Sequence, residues 1–112
     1  MKLSEVAIFT EDVPTTSTFY ERLFGEPKFA DDGIAVFDVN GVTVLVHETY
    51  DEDANDLPPE DHFAFSVSDL EEALRSVSED GFTVFREPAE YEWGRSAYVR
   101  DPDGRLVELA EQ

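Results

Sequence analysis
Apolar and polar residues alternate from Leu3 to Phe9, with Val6 and Ile8 on one side and Glu5, Ala7 and Phe9 on the other, which predicts a β-strand. Asp12-Val13-Pro14 opens a helix, since proline is tolerated in a first turn. The helix runs to about Phe24, stops at Gly25 and is expected to bury Phe19, Tyr20, Leu23 and Phe24. Lys28 to Asp31 reads as a short edge strand. Ile34 to Val39 and Val42 to His47 read as a hairpin about Asn40-Gly41, a pair suited to a tight turn. Glu48 to Pro59 is acidic and aperiodic and contains Pro58-Pro59, the composition of a linker. The pattern then starts again. Asp61 to Val67 is a strand, and Ser68-Asp69-Leu70-Glu71 has the form of a capping box. The helix it opens carries Ala73, Leu74 and Val77 and ends before Gly81. Phe82 to Arg86 is a strand, and Glu87 to Gly94 a loop holding Tyr91 and Trp93. Ser96 to Arg100 and Leu106 to Ala110 flank the turn Asp101-Pro102-Asp103-Gly104.

The order β-α-β-β-β therefore occurs twice, and the residues repeat with it. Asp38 matches Asp101 and Gly41 matches Gly104 at a shift of 63, which sets Leu45 against Glu108 and Glu48 against Glu111. Near the start of each half, Glu5-Val6-Ala7-Ile8-Phe9 overlays His62-Phe63-Ala64-Phe65-Ser66 at a shift of 57. Internal repetition of this kind outranks any single motif. The chain is read as one domain, residues 1–112, made of a module at 1–48, a linker at 49–60 and a second module at 61–112.

Composition narrows the function classes. Twenty-seven acids against eight bases give a net charge of −19, and Lys2 and Lys28 are the only lysines. Hydrophobic residues still make up 41%, so this is a folded core in a carboxylate coat and not a disordered acidic chain. The coat points to a high-salt cytoplasm, that of a halophilic, haloarchaeal source, where screening relieves self-repulsion. It argues against nucleic-acid partners, which need basic surface. Cysteine is absent, so disulfides and thiol chemistry are excluded. No apolar run reaches the roughly 18 residues of a membrane span, and Glu5, Glu11 and Asp12 interrupt any apolar leader. A cytoplasmic protein is expected.

The ordered set Val6-Ala7-Ile8-Phe9, Asp12-Val13, Phe19-Tyr20, Leu23-Phe24-Gly25, His62 to Leu70, Trp93-Gly94, Asp101-Pro102-Asp103-Gly104 and Val107-Glu108-Leu109 resembles the vicinal oxygen chelate (VOC) superfamily. That superfamily includes glyoxalase I, extradiol dioxygenases, fosfomycin-resistance enzymes and bleomycin-resistance proteins. The resemblance implies an α+β fold of two tandem βαβββ modules, forming an open, curled mixed sheet around a pocket. It also implies a divalent metal held by the first and last strands of each module. Carried over, those positions are Glu5, Leu45, His62 and Glu108, the same four that the two repeat shifts pair. His62 and Glu108 match the usual ligand types, Glu5 stands where histidine is usual, and Leu45 cannot bind a metal. One histidine and two carboxylates suit Fe, Mn, Zn or Ni with positions left for substrate oxygens.

Such a site implies a metal-dependent lyase, isomerase or dioxygenase acting on a small oxygenated organic molecule. Leu45 and Glu5 argue against glyoxalase I itself. The alternative is a metal-free binding or sequestering protein of the bleomycin-resistance type. A homodimer is implied as well.

Residues two apart on a strand share a face. Taken from the four positions, one face carries Ala7, Phe9, Thr43, Leu45, His47, Ala64, Ser66, Leu106 and Ala110, joined across the hairpins by Ile34, Val36, Ala97 and Val99. The expected substrate pocket is Phe9, Val36, Thr43, Leu45, His47, Ser66, Val99 and Trp93. Val6, Ile8, Val44, Val46, Phe63, Phe65, Val107 and Leu109 face the helices. Glu108 and His47 are the candidate catalytic groups; His47 either replaces the missing ligand, serves as a base or simply ends the sheet. Tyr91 and Trp93 either cover the pocket or pack on the sheet edge. Arg95 either meets a ligand carboxylate or forms an ordinary ion pair.

Overall fold
A computed structural model describes residues 1–53 and 57–112. The middle of the expected linker, residues 54–56, lies outside the described residues. The chain divides into two compact units, Glu5–Asp61 and Met1–Ser4 with His62–Gln112. Strand β1 (Lys2–Thr10) gives its first residues to one and the rest to the other. The α+β class expected from the sequence holds.

In Glu5–Asp61, α1 (Val13–Phe24) precedes β2 (Phe29–Ala30), β3 (Ile34–Val39) and β4 (Val42–Glu48), in the spatial order β2-β3-β4-β1. Asp12 caps α1 by accepting from the Thr15 amide at 3.1 Å, and proline occupies the first turn. The buried stripe of α1 is Val13, Ser17, Tyr20 and Phe24, spaced at three and four residues. Phe19 and Leu23, expected inside, are 58% and 64% exposed. They lie on the turn's other side, because a helix advances about 100° per residue and cannot bury adjacent positions equally. Tyr20 and Phe24 pack with Val13 over Ala35, Phe37, Val44 and Val46. Asn40 and Gly41 both take positive φ, 52° and 90°, as the two-residue hairpin between β3 and β4 requires.

In the second unit, β5 (His62–Val67), α2 (Leu70–Glu79), β6 (Thr83–Tyr91), β7 (Gly94–Arg100) and β8 (Leu106–Glu111) take the order β5-β8-β7-β6. The expected capping box does not form. Asp69, one residue later, caps α2 by accepting from the Glu72 amide at 3.0 Å. The Leu70 amide donates instead to Glu111 Oε2 at 3.1 Å. Leu70, Leu74, Ala73 and Val77 pack on Val67, Leu109, Phe65 and Val107, while Phe63 is 47% exposed outside this cluster.

The predicted loop 87–94 is a correction of a different kind. β6 continues to Tyr91 and turns at once into β7. Pro88 would interrupt a regular ladder, but β6 is the outer strand of its unit, and register irregularities at Val84/Arg86 and Arg86/Ala89 accommodate it.

A second register difference matters more. Tyr98 lies opposite Glu108 and Ser96 opposite Ala110, while Ala97 and Val99 lie opposite Leu109 and Val107. Ala97 and Val99, expected on the Glu108 face, therefore pack in the α2 core. The first hairpin turns on two residues, Asn40 and Gly41, and there Val36 meets Leu45 and Ile34 meets His47 as expected. The second turns on 101–105, five residues between β7 and β8. The odd difference shifts one strand by a residue, and a one-residue shift exchanges the two faces. The Asp101 carboxylate holds this longer turn by accepting from the Asp103 and Arg105 amides at 3.0 and 2.8 Å.

Candidate functional site
β8 carries Glu108 inside an apolar run whose neighbours Leu106 and Leu109 are buried. The strand's period sets Glu108 on the face away from α2, beside Ala64 of β5 and Tyr98 of β7. Glu108 is only 5% exposed, so its charge must be met by fixed polar groups. Ser96 Oγ donates to Oε2 at 2.8 Å, and the Trp93 indole N–H is 3.1 Å from the same oxygen and 3.0 Å from Ser96 Oγ. His62 Nε2 stands 3.5 Å from the other oxygen, Oε1. Burial pushes the Glu108 carboxyl up, but the His62 ring, the Ser96 hydroxyl and the Trp93 indole outweigh it and hold the group below the usual carboxylate range. Glu108 is thus an ionised, oriented carboxylate.

Aromatic rings frame this pair. Tyr98, 2% exposed, meets the His62 ring edge-on at 6.1 Å. Tyr91 meets Tyr98 edge-on at 6.1 Å and stacks on Trp93 at 4.6 Å and 1°. Trp93 is 57% exposed as a whole, yet its N–H points inward to Glu108. Besides stacking on Tyr91 of the outer strand β6, it donates a hydrogen bond to the site carboxylate, a contact not expected from the sequence. Ser96 and Tyr98 were not expected here at all. The signal for them lies in the turn, because five residues between Arg100 and Leu106 place even-numbered β7 residues across from Glu108.

The other expected residues are placed as follows. Ser66 pairs with Ala110, on the Glu108 side of β5. Arg95 forms the ion pairs that were one of its two expected roles. It pairs with Glu71 and, at 3.4 Å, with Glu111, whose carboxylate also accepts from the α2 amide of Leu70.

In the first unit Glu5 is half-buried on β1 opposite Thr43, and Ala7 and Phe9 follow on its side opposite Leu45 and His47. Val36 stands across from Leu45. The His47 ring lies 5.5 Å from Phe9 and 6.4 Å from Tyr50, and its Nδ1 is 2.7 Å from the Glu48 carbonyl. A carbonyl oxygen can only accept, so Nδ1 is the donor in that contact.

The residues of the second unit suit a divalent ion. Two ligand atoms bound at about 2.0–2.2 Å with tetrahedral angles stand about 3.3–3.6 Å apart, and His62 Nε2 and Glu108 Oε1 are 3.5 Å apart. That separation exceeds an ordinary hydrogen bond of about 2.7–3.2 Å. Ser96 and Trp93 hold the remaining oxygen, the kind of outer support that orients a ligating carboxylate.

No helix among the described residues is long and apolar enough to cross a membrane. No curated protein matches the sequence. Among solved structures, a Streptomyces coelicolor methylmalonyl-CoA epimerase in complex with 2-nitronate-propionyl-CoA is similar at a TM-score of 0.74 and 21% identity, over 100% of this chain and 94% of that one. A glyoxalase/bleomycin resistance protein/dioxygenase superfamily member from Vibrio splendidus 12B01 gives 0.67 and 21%, over 96% of each chain. A structure described as an NAD-dependent benzaldehyde dehydrogenase from Legionella pneumophila gives 0.72 and 16%, again over 96% of each. At such identities the likeness concerns the fold, and these descriptions span different reactions. Residues 2–109 match the profile of the Glyoxalase/Bleomycin resistance protein/Dioxygenase superfamily, and the chain belongs to that superfamily.

Proposed function
We propose that this protein binds a small oxygenated organic molecule on the face carrying His62 and Glu108, with a divalent ion (Fe, Mn, Zn or Ni) held by Glu5, His62 and Glu108. The observation that supports it best is Glu108 itself: a buried, ionised carboxylate with one oxygen secured by Ser96 and Trp93 and the other turned to His62 Nε2 at 3.5 Å. Glu5 enters as third ligand through the repeat, in which it holds the position of His62. A bound ion would supply Lewis-acid polarisation of a ligand oxygen. The chain's own residues orient the carboxylate, set the imidazole against Tyr98 and screen Glu108 from water. This chemistry fits a lyase or isomerase better than a dioxygenase, because it needs no second reactant. Leu45, the one non-ligating position of the four, favours the alternative of a metal-free binding protein.

We take the protein to be a single domain and a cytoplasmic homodimer, its acidic surface adapted to high salt. Small molecules are its partners, and nucleic acids are repelled by the charge of −19.

Metal content tests the site. Wild type, His62→Ala and Glu108→Gln are purified without chelators and dialysed against each metal. Near-stoichiometric uptake by wild type and loss by both variants is expected. Equal uptake by all three, or none by any, would overturn the metal site.

A further inference from the structure
In this strongly acidic protein Arg86 has no carboxylate partner among the described residues. Arg75, Arg95 and Arg105 are each paired with acids. Arg86 is half-buried, its Nη1 donates to the Phe85 carbonyl at 3.3 Å and its guanidinium lies 4.2 Å from the centre of the Phe85 ring. Among the described residues no acid stands within ion-pair distance of it. The Arg100 guanidinium lies over the same ring at 4.3 Å. Two cations thus meet one aromatic ring in a chain with twenty-seven acids, and among the described residues none of those acids stands beside Arg86 to neutralise it. A guanidinium left uncompensated in a half-buried setting is a recognition group for an anion brought from outside.

The register says which face it serves. β6 carries an extra residue here, because Val84 pairs with Val99 and Arg86 already with Tyr98. The bulge turns Arg86 to the Tyr98 side of the sheet, where Tyr98 lies opposite Glu108. Arg86 and Glu108 both act on the Tyr91 phenol: burial raises its pKa most, Arg86 draws it down and Glu108 raises it further. In the sheet itself Tyr98 stands between them, paired with Arg86 of β6 on one side and Glu108 of β8 on the other.

We propose that Arg86 recognises the oxyanion of the ligand, so that the molecule taken on this face is a small carboxylate or phosphate ester and not a neutral compound. The inference rests on the reading that this face binds a small molecule, but it does not require the metal. The guanidinium fork meets two oxygens at once.

The test uses metal-free protein and a matched set of probes: benzoate, phenyl phosphate and the neutral benzamide. Each is titrated by calorimetry, which gives the affinity of wild type and every variant, and in wild type by NMR, following the Arg86 side-chain Nε–H resonance, assigned by its disappearance in Arg86→Lys. One of the two anions is expected to shift that resonance saturably, and the stronger of them identifies the oxyanion class. Arg86→Gln should weaken the anion by about tenfold, the loss of one charge-assisted contact at a half-exposed site. Arg86→Lys should fall between, while Arg75→Gln, which removes an exposed arginine paired with Glu72, should leave anion binding within twofold. The proposal is overturned if neither anion shifts the resonance, if benzamide binds as tightly, or if Arg86→Gln binds the anion like wild type. Metal uptake is measured separately, so either reading can fail while the other stands.

Discussion
Replacing Ser96 with alanine removes one hydroxyl and little else. Ser96 is fully buried, and its Oγ is 2.8 Å from Glu108 Oε2. The variant leaves that oxygen to the Trp93 indole alone. A hydrogen bond to a charged group contributes about 1.5–3 kcal/mol, and both partners here are shielded from solvent, so the full range applies. The loss should also depend on pH in a defined direction. The folded-state pKa of Glu108 is depressed, because His62, Ser96 and Trp93 together outweigh the burial that raises it. Such a group contributes stability above its unfolded pKa and loses it as pH falls through the folded value. Without the Ser96 hydroxyl the folded pKa moves up, so this contribution shrinks at neutral pH and was already absent in acid. Urea unfolding of wild type and Ser96→Ala at about pH 7 should therefore differ by about 1.5–3 kcal/mol, and the difference should shrink as the pH is lowered through the Glu108 titration. Carbon-detected NMR of the Glu108 carboxyl should show its titration moved upward. A stability loss that does not change with pH, or an unmoved titration, would show that Ser96 acts through packing and not through the carboxylate.

The α2 cap gives a second test: Asp69→Ala should cost about 1 kcal/mol in thermal or urea unfolding, and Ser68→Ala close to nothing. Equal losses would restore the cap expected from the sequence. The net charge of −19 predicts a melting temperature that rises between about 0.1 M and about 1 M salt, as the screening length falls from about 10 Å to about 3 Å. A melting temperature unchanged over that range would show that self-repulsion is not limiting.

Much of this was open to inspection in the amino-acid sequence, and some was not, for physical reasons that differ by residue. Alternation and turn chemistry are local, so the strands about Asn40-Gly41 and Asp101-Gly104, both helices and the α+β class could be read from neighbouring residues. So could the singling out of His62 and Glu108, because an acid inside an apolar strand and a histidine at a repeat position are visible without coordinates. Side-chain facing across a hairpin is not local. It depends on the number of residues the turn consumes, and the repeat concealed that the second hairpin spends five where the first spends two. Val99 consequently belongs to the core under α2, and Ser96 and Tyr98 take the positions beside Glu108. The choice between Ser68 and Asp69 as cap depended on where Glu111 reached the helix start, a contact over 41 residues. The charge pairing was equally a tertiary decision: it tied Arg95 to Glu71 and Glu111 and left Arg86, on a bulge no pattern announced, without an acid among the described residues.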